Sequence, residues 1–228
     1  MNAKERFLKY VRYETTSDEN SPSCPSTPGQ TVLLKVLRDE LAAMGAVVKQ
    51  DENGYVTAVI PATKEGLNNL CFISHVDTSP AVSGKDVNPK EIVCDGHDIV
   101  LGNGTVISVK ETHELLNYKG EELIVTDGET LLGADDKAGV AEIMTAAEIL
   151  LNDKTIPHGK ILIGFTPDEE IGRGTDLFDV KGFGADFGFT VDGGELGEIE
   201  YENFNAASAI LTINGTSIHP GSAKNKMK

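Results

Sequence analysis

The chain of 228 residues is long enough for one large α/β domain, or for one domain and the beginning of a second. With 39% apolar residues, 24 glycines and no tryptophan it has the composition of a folded protein with many turns, which excludes a fibre or a disordered tail. A formal charge of -16 at pH 7 repels phosphate backbones and anionic headgroups, so neither nucleic acid nor a membrane is an expected partner, while cations are drawn to any cleft lined by carboxylates.

In chain order, Phe7, Leu8 and Val11 fall at helical spacing in MNAKERFLKYVRY, predicting an amphipathic helix from about Ala3 to Tyr13 rather than a secretory signal. A second helix is bounded by Thr27 as N-cap, Pro28 in the first turn and Gly45 past the end. AVVKQ and YVTAVIPA flank DENG as a β-hairpin, and NLCFISHV reads as a strand buried on both faces that ends at His75. From Ser83 to about Asn117 the chain predicts irregular surface hairpins. Regular structure then resumes: ELIVT as a strand, DKAGVAEIMTAAEILLND as an amphipathic helix, KILIGFT as a strand, a short helix after PDEE, and ADFGFTV as a strand. This alternation predicts an α/β fold with a mixed, mostly parallel sheet flanked by helices. NAASAILTINGTSIHPG breaks the rhythm with strand-like alternation and an Asn214-Gly215 turn, placing a domain boundary near Ala206, with residues 1–205 before it and 206–228 after.

Cys24, Cys71 and Cys94 form no C-x-x-C pair, which fits a reducing cytoplasm and argues against a disulfide framework or a thiolate zinc site. No run approaches the ~20 apolar residues that a membrane span requires.

In open α/β sheets ligands bind beyond the carboxyl ends of the strands. Four clusters directly follow predicted strands or open the next helix: His75 with Asp77, Asp135 with Asp136, Asp168 with Glu169 and Glu170, and Asp192. Each has an ordinary alternative. His75 and Asp77 could be a hydrogen-bonded pair, Asp135 and Asp136 an N-cap and first-turn acid, PDEE a helix start and DGG a turn. Together they would crowd one histidine and at least four carboxylates onto one rim, a repulsion that a divalent cation relieves. Mixed nitrogen and oxygen donors suit zinc, and also manganese or cobalt, and a shared carboxylate allows two ions ~3.5 to 4 Å apart.

HVDTSP, LLGADDKAGVAEIM, FTPDEEIGRG, TVDGG, ENFNAAS and HPGSAK, in this order, resemble the tripeptide aminopeptidases of the M20 metallopeptidase family. The resemblance runs across nearly the whole chain. It implies a zinc-peptidase-like catalytic domain over residues 1–205 and, over 206–228, the truncated start of an α+β lid and dimerisation domain. It implies two zinc ions: His75 and Asp192 on one, Asp136 bridging both, Glu170 on the second, and Asp77 orienting His75. Glu169 would be the general base, and His219 would reach a neighbouring subunit's site in a homodimer to steady the oxyanion. A cis peptide at Asp136–Lys137 is implied as well. The substrate would be a tripeptide, cleaved to an amino acid and a dipeptide. The family's last histidine ligand lies in a later segment, so the chain by itself is expected to be inactive, and His97, His113 and His158 are read as surface residues. Two other readings stay open: another M20 hydrolase, acting on dipeptides or N-acyl amino acids, or a noncatalytic metal-binding fragment.

Overall fold

The computed structural model describes residues 1–228 apart from 204, 208, 220, 222 and 226–228. Helix α1 (Ala3–Tyr10) starts at a capping box, in which the Glu5 N–H donates to the Asn2 side chain at 2.8 Å and the Asn2 N–H donates to the Glu5 carboxylate at 3.0 Å. It stops short of the expected Tyr13. Helix α2 (Pro28–Met44) runs from N-cap Thr27 to Gly45, whose φ of 98° is the left-handed conformation that ends helices at glycine. The expected hairpin forms from β1 (Val47–Gln50) and β2 (Val56–Ile60), followed by β3 (Leu70–His75). Short strands β4 (Lys90–Val93), β5 (Ile99–Val100) and β6 (Val106–Ile107), with a 3-10 helix at His113–Tyr118, fill the irregular stretch, and the expected ELIVT strand follows as β7 (Glu122–Val125). Then come α3 (Ala134–Asn152), β8 (Ile161–Thr166), α4 (Val180–Phe183) and β9 (Phe187–Thr190).

The main sheet has five strands in the order β1-β2-β8-β3-β9. It is mixed in equal parts: β1 with β2 and β2 with β8 are antiparallel, while β3 with β8 and β3 with β9 are parallel. The balance differs from a mostly parallel sheet because the hairpin's second arm folds back onto β8, and because β7 leaves the main sheet to pair with β4. No helix follows PDEE directly. Asp168 at φ 59° and Gly172 at φ 72° turn the chain out of helical geometry, and only one turn, α4, forms later.

The period of two along a strand sorts the core. Val56, Ala58 and Ile60 of β2 and Ile161, Ile163 and Phe165 of β8 share a cluster with Leu33, Leu34, Leu37 and Leu41 of α2 and Val140, Ile143, Met144 and Ala147 of α3. Each of these side chains larger than alanine contributes about 1.5–3 kcal/mol on burial. Leu162 and Gly164 belong to the opposite face, where a Cβ at Gly164 would stand 3.5 Å from the ring of Phe183 and 3.6 Å from that of Phe178. Arg6, 2% exposed, donates to Glu40 at 2.9 Å and Glu148 at 2.8 Å and so bolts α1 to both α2 and α3.

Two compact units divide at Gly194/Glu195, ahead of the boundary expected near Ala206. In the second unit no strand forms among the described residues, so the strand and turn expected over 206–219 are absent there. A strand needs a partner edge to satisfy its backbone, and Ile210, Leu211 and Ile213 stand exposed.

Candidate metal centre

The parallel register sets His75 beside Thr166 and Ile73 beside Thr190, so β3, β8 and β9 all end on one rim. The start of α3 joins them through Gly139. A Cβ there would lie 1.8 Å from the Val191 carbonyl oxygen and 2.5 Å from Ser74 Oγ, an approach that only glycine permits.

Asp135 and Asp136 have non-helical backbones, with ψ of 107° and 34°, and their carboxylates part company. Asp135 is on the rim, its side chain 70% exposed and its Oδ1 2.9 Å from His75 Nε2. Asp136 is 2% exposed and accepts from the His75 N–H at 3.3 Å and the Gly139 N–H at 3.2 Å. The structure thus sets the Asp135 carboxylate at the rim, whereas that of Asp136, the expected bridging ligand, is turned to backbone N–H groups. The cis peptide likewise stands at Asp135–Asp136, one bond before the expected Asp136–Lys137. Lys137 is buried and donates to the Tyr13 carbonyl at 2.7 Å.

His75 Nε2, Asp135 and Asp192 offer ligand atoms that all lie within 4.8 Å of one another. Glu169 Oε2 is 3.7 Å and Asp192 Oδ2 3.8 Å from the same nitrogen. Asp77, fully buried, holds the other side of the ring, with its Oδ1 3.3 Å and its carbonyl oxygen 3.0 Å from His75 Nδ1. With Nδ1 turned to these acceptors, Nε2 faces the rim as a ligand atom must.

The electrostatics register the crowding. Burial opposes a charge on His75, but the Asp77 hydrogen bond, with Asp136 and Asp192 nearby, outweighs it and raises the imidazole to about 10. Burial pushes Asp136 up to about 8 against the Ser74 hydrogen bond and the His75 charge. Burial also raises Asp192, to about 6, with His75 opposing and Asp135 reinforcing. Glu170 is raised by burial and then by Asp135. One imidazole nitrogen and several carboxylate oxygens at mutual distances of this size fit a divalent cation of the zinc type.

Of the remaining expected residues, Glu169 is half exposed at the rim, and Glu170 is half buried with its N–H donating to Asp77 at 3.1 Å. His219 belongs to the second unit, exposed, with Nδ1 accepting from the Gly221 N–H at 3.2 Å. Asp168 is 0% exposed and turns toward the start of α2. His97 and His113 are exposed as expected, but His158 is buried at 8%, its ring against the Gly159 carbonyl just ahead of β8.

An α/β domain that gathers imidazole and carboxylates at the carboxyl rim of its sheet has the donor set to hold a divalent cation there. No protein-family model matches the chain. By sequence it is related to peptidase T: it is 59% identical over 229 residues to peptidase T of Caldanaerobacter subterraneus subsp. tengcongensis, covering 98% of this chain and 56% of the relative. Identity to peptidase T of Clostridium acetobutylicum is 58%, with the same coverage. The chain thus spans about half the length of the curated relatives it matches. Among solved structures, the aminopeptidase PepT of Bacillus cereus is similar with a TM-score of 0.60 at 27% identity, over 84% of this chain and 43% of that one. A tripeptidase of Staphylococcus aureus gives 0.60 at 25%, over 85% and 43%.

Proposed function

We propose that the protein is a dinuclear zinc aminopeptidase that releases the N-terminal residue of tripeptides. One observation carries the reading: His75 Nε2 and oxygens of Asp135 and Asp192 converge within 4.8 Å at the rim. Identity of 54–59% to relatives named peptidase T supports a peptidase, and similarity to the Staphylococcus aureus tripeptidase supports the choice of substrate.

His75, Asp192 and Glu170, with Asp135 in place of Asp136 as the shared carboxylate, would hold the ions. Divalent ions held there would supply Lewis acidity to a water molecule and to the peptide carbonyl. Glu169, its side chain 53% exposed, is free to take a proton from the attacking water and return it to the leaving amine. Asp77 fixes the tautomer and ring angle of His75. His219 is assigned to steady the carbonyl oxygen in a neighbouring subunit of a homodimer formed through a lid domain that begins near residue 206. A cytoplasmic location and manganese or cobalt as substitutes belong to the same reading.

Elemental analysis of the complete protein, purified without chelator, should give two equivalents of metal, and assay should show free amino acid released from tripeptides. Cleavage of N-acyl amino acids alone would replace this reading with an acyl hydrolase. Glu169→Ala should lower turnover at least ~100-fold with metal retained. Metal loss in that variant would mean that Glu169 and Glu170 have exchanged roles.

A further inference from the structure

Asp168 is a buried carboxylate beside the rim that the chemistry leaves unused. Its Oδ2 accepts from the Ser26 N–H at 2.8 Å, and its Oδ1 accepts from the Ser26 hydroxyl and from Gln30 Nε2, the latter at 2.7 Å. Its own N–H donates to Gln30 Oε1 at 3.1 Å. Gln30 is 0% exposed and in the first turn of the 17-residue α2, and Ser26 directly precedes the N-cap, so the carboxylate sits where the helix end favours negative charge. The φ of 59° at Asp168 is a left-handed conformation that Asp and Asn tolerate better than other side chains.

The next two residues are Glu169 and Glu170, whose N–H groups donate to Asp77 at 2.9 and 3.1 Å. Downstream, Arg173 closes the turn: its N–H donates to the Asp168 carbonyl at 2.9 Å, and its guanidinium donates to the carbonyls of Ser21 at 2.9 Å and Ser23 at 2.8 Å. The turn is therefore anchored at three points, to α2, to the end of β3 and to the segment before α2.

We propose that Asp168 is a positioning residue, clamping this turn to the start of α2 so that Glu169 and Glu170 present their carboxylates to the rim. The proposal rests on the functional reading above, which gives those two glutamates their roles. Both glutamate side chains depend on the backbone beneath them, and displacement of a reacting group by ~1 Å costs ~100-fold in rate.

The test uses the complete, metal-loaded protein with Asp168→Ala, Asp168→Asn and the milder Gln30→Ala. Asp168→Ala should lower kcat by at least ~30-fold with the KM for a tripeptide changed less than ~3-fold, and should shift the acidic limb of the pH–rate profile. Asp168→Asn keeps the left-handed backbone and an acceptor for Gln30, so it should recover most of the lost kcat. Gln30→Ala should lower kcat in the same direction even if Asp168→Ala fails to fold. In the metal-free protein, amide exchange in Asp168→Ala should accelerate over residues 169–173 and 21–26 while β8 stays protected. Wild-type kcat in Asp168→Ala and Gln30→Ala, or exchange accelerated evenly through β8, would overturn the clamp. Glu169→Ala run in parallel separates the two ideas: full activity there defeats the functional reading, while the exchange result still decides the clamp.

Discussion

Asp77 and Glu169 are joined through the backbone, the Glu169 N–H donating to Asp77 Oδ1 at 2.9 Å across 92 residues of sequence. The same oxygen stands 3.3 Å from His75 Nδ1, so one buried carboxylate sets both the imidazole and the turn that carries the glutamates. Asp77→Ala would leave two N–H groups without their acceptor and the ring with only the backbone carbonyl of residue 77 against Nδ1. Zinc affinity, read by competition with a chromogenic chelator, should fall ~10–100-fold. Unchanged affinity would show that the ring is held from elsewhere.

The divergence of Asp135 and Asp136 gives a direct contrast. Asp135→Ala removes a largely exposed rim carboxylate and should lower the metal stoichiometry with a change in stability under ~0.5 kcal/mol for the metal-free protein. Asp136→Asn should leave the stoichiometry intact. Elemental analysis with thermal melts decides, and the reverse pattern would restore Asp136 as the ligand.

Gly139→Ala forces a Cβ to within 1.8 Å of the Val191 carbonyl, a backbone atom that cannot swing aside. The variant should be destabilised by about 3 kcal/mol in urea unfolding, at the upper end of overpacking costs. A wild-type midpoint would mean that α3 does not seat against the end of β9.

The metal-free site should exchange protons for metal. His75 rises from 6.5 to about 10, so its charged form contributes stability fully present below pH 6.5 and lost as pH climbs through 10. Asp192, raised from 3.8 to about 6, also holds its proton longer when folded, so its contribution falls with pH over that lower window. A cation must displace the proton on Nε2. Zinc added at pH 7 should release about one proton from His75, and its affinity should rise with pH. Calorimetry in buffers of differing ionisation enthalpy measures this, and zero release would exclude the imidazole as ligand.

Arg6 lies 2% exposed between Glu40 and Glu148, which retain side-chain exposures of 20% and 35%. Arg6→Ala removes one partner from each acid, leaving Glu40 with Lys9 and Tyr10 and Glu148 with the N-terminal amine, and opens space among three helices. Because the acids stay partly hydrated, the expected loss is roughly 2–3 kcal/mol in urea unfolding, below the cost for a fully enclosed pair.

Much of the architecture was legible because it is encoded locally. Thr27-Pro28 and Gly45 bound α2, DENG sets the hairpin, and the apolar runs ending at His75 and Thr166 mark central strands. What escaped depends on contacts between distant segments. Asp135 and Asp136 are sequence neighbours of one type, and what separates them is that the N–H groups of distant His75 and of Gly139 take the Asp136 carboxylate. Asp168 shares a motif with Glu169 and Glu170, yet its partners Ser26 and Gln30 lie far upstream. ELIVT has the pattern of a core strand, and its pairing with β4 depends on a segment with almost no pattern of its own.

His75 terminates a strand flanked by neighbours on either side, and its ring is 2% exposed, whereas the side chains of Asp135 and Glu169 are 70% and 53% exposed. Adaptation to ions of different radius is therefore one-sided: the nitrogen donor is a fixed post, and the oxygen donors must travel to meet whatever ion rests against it.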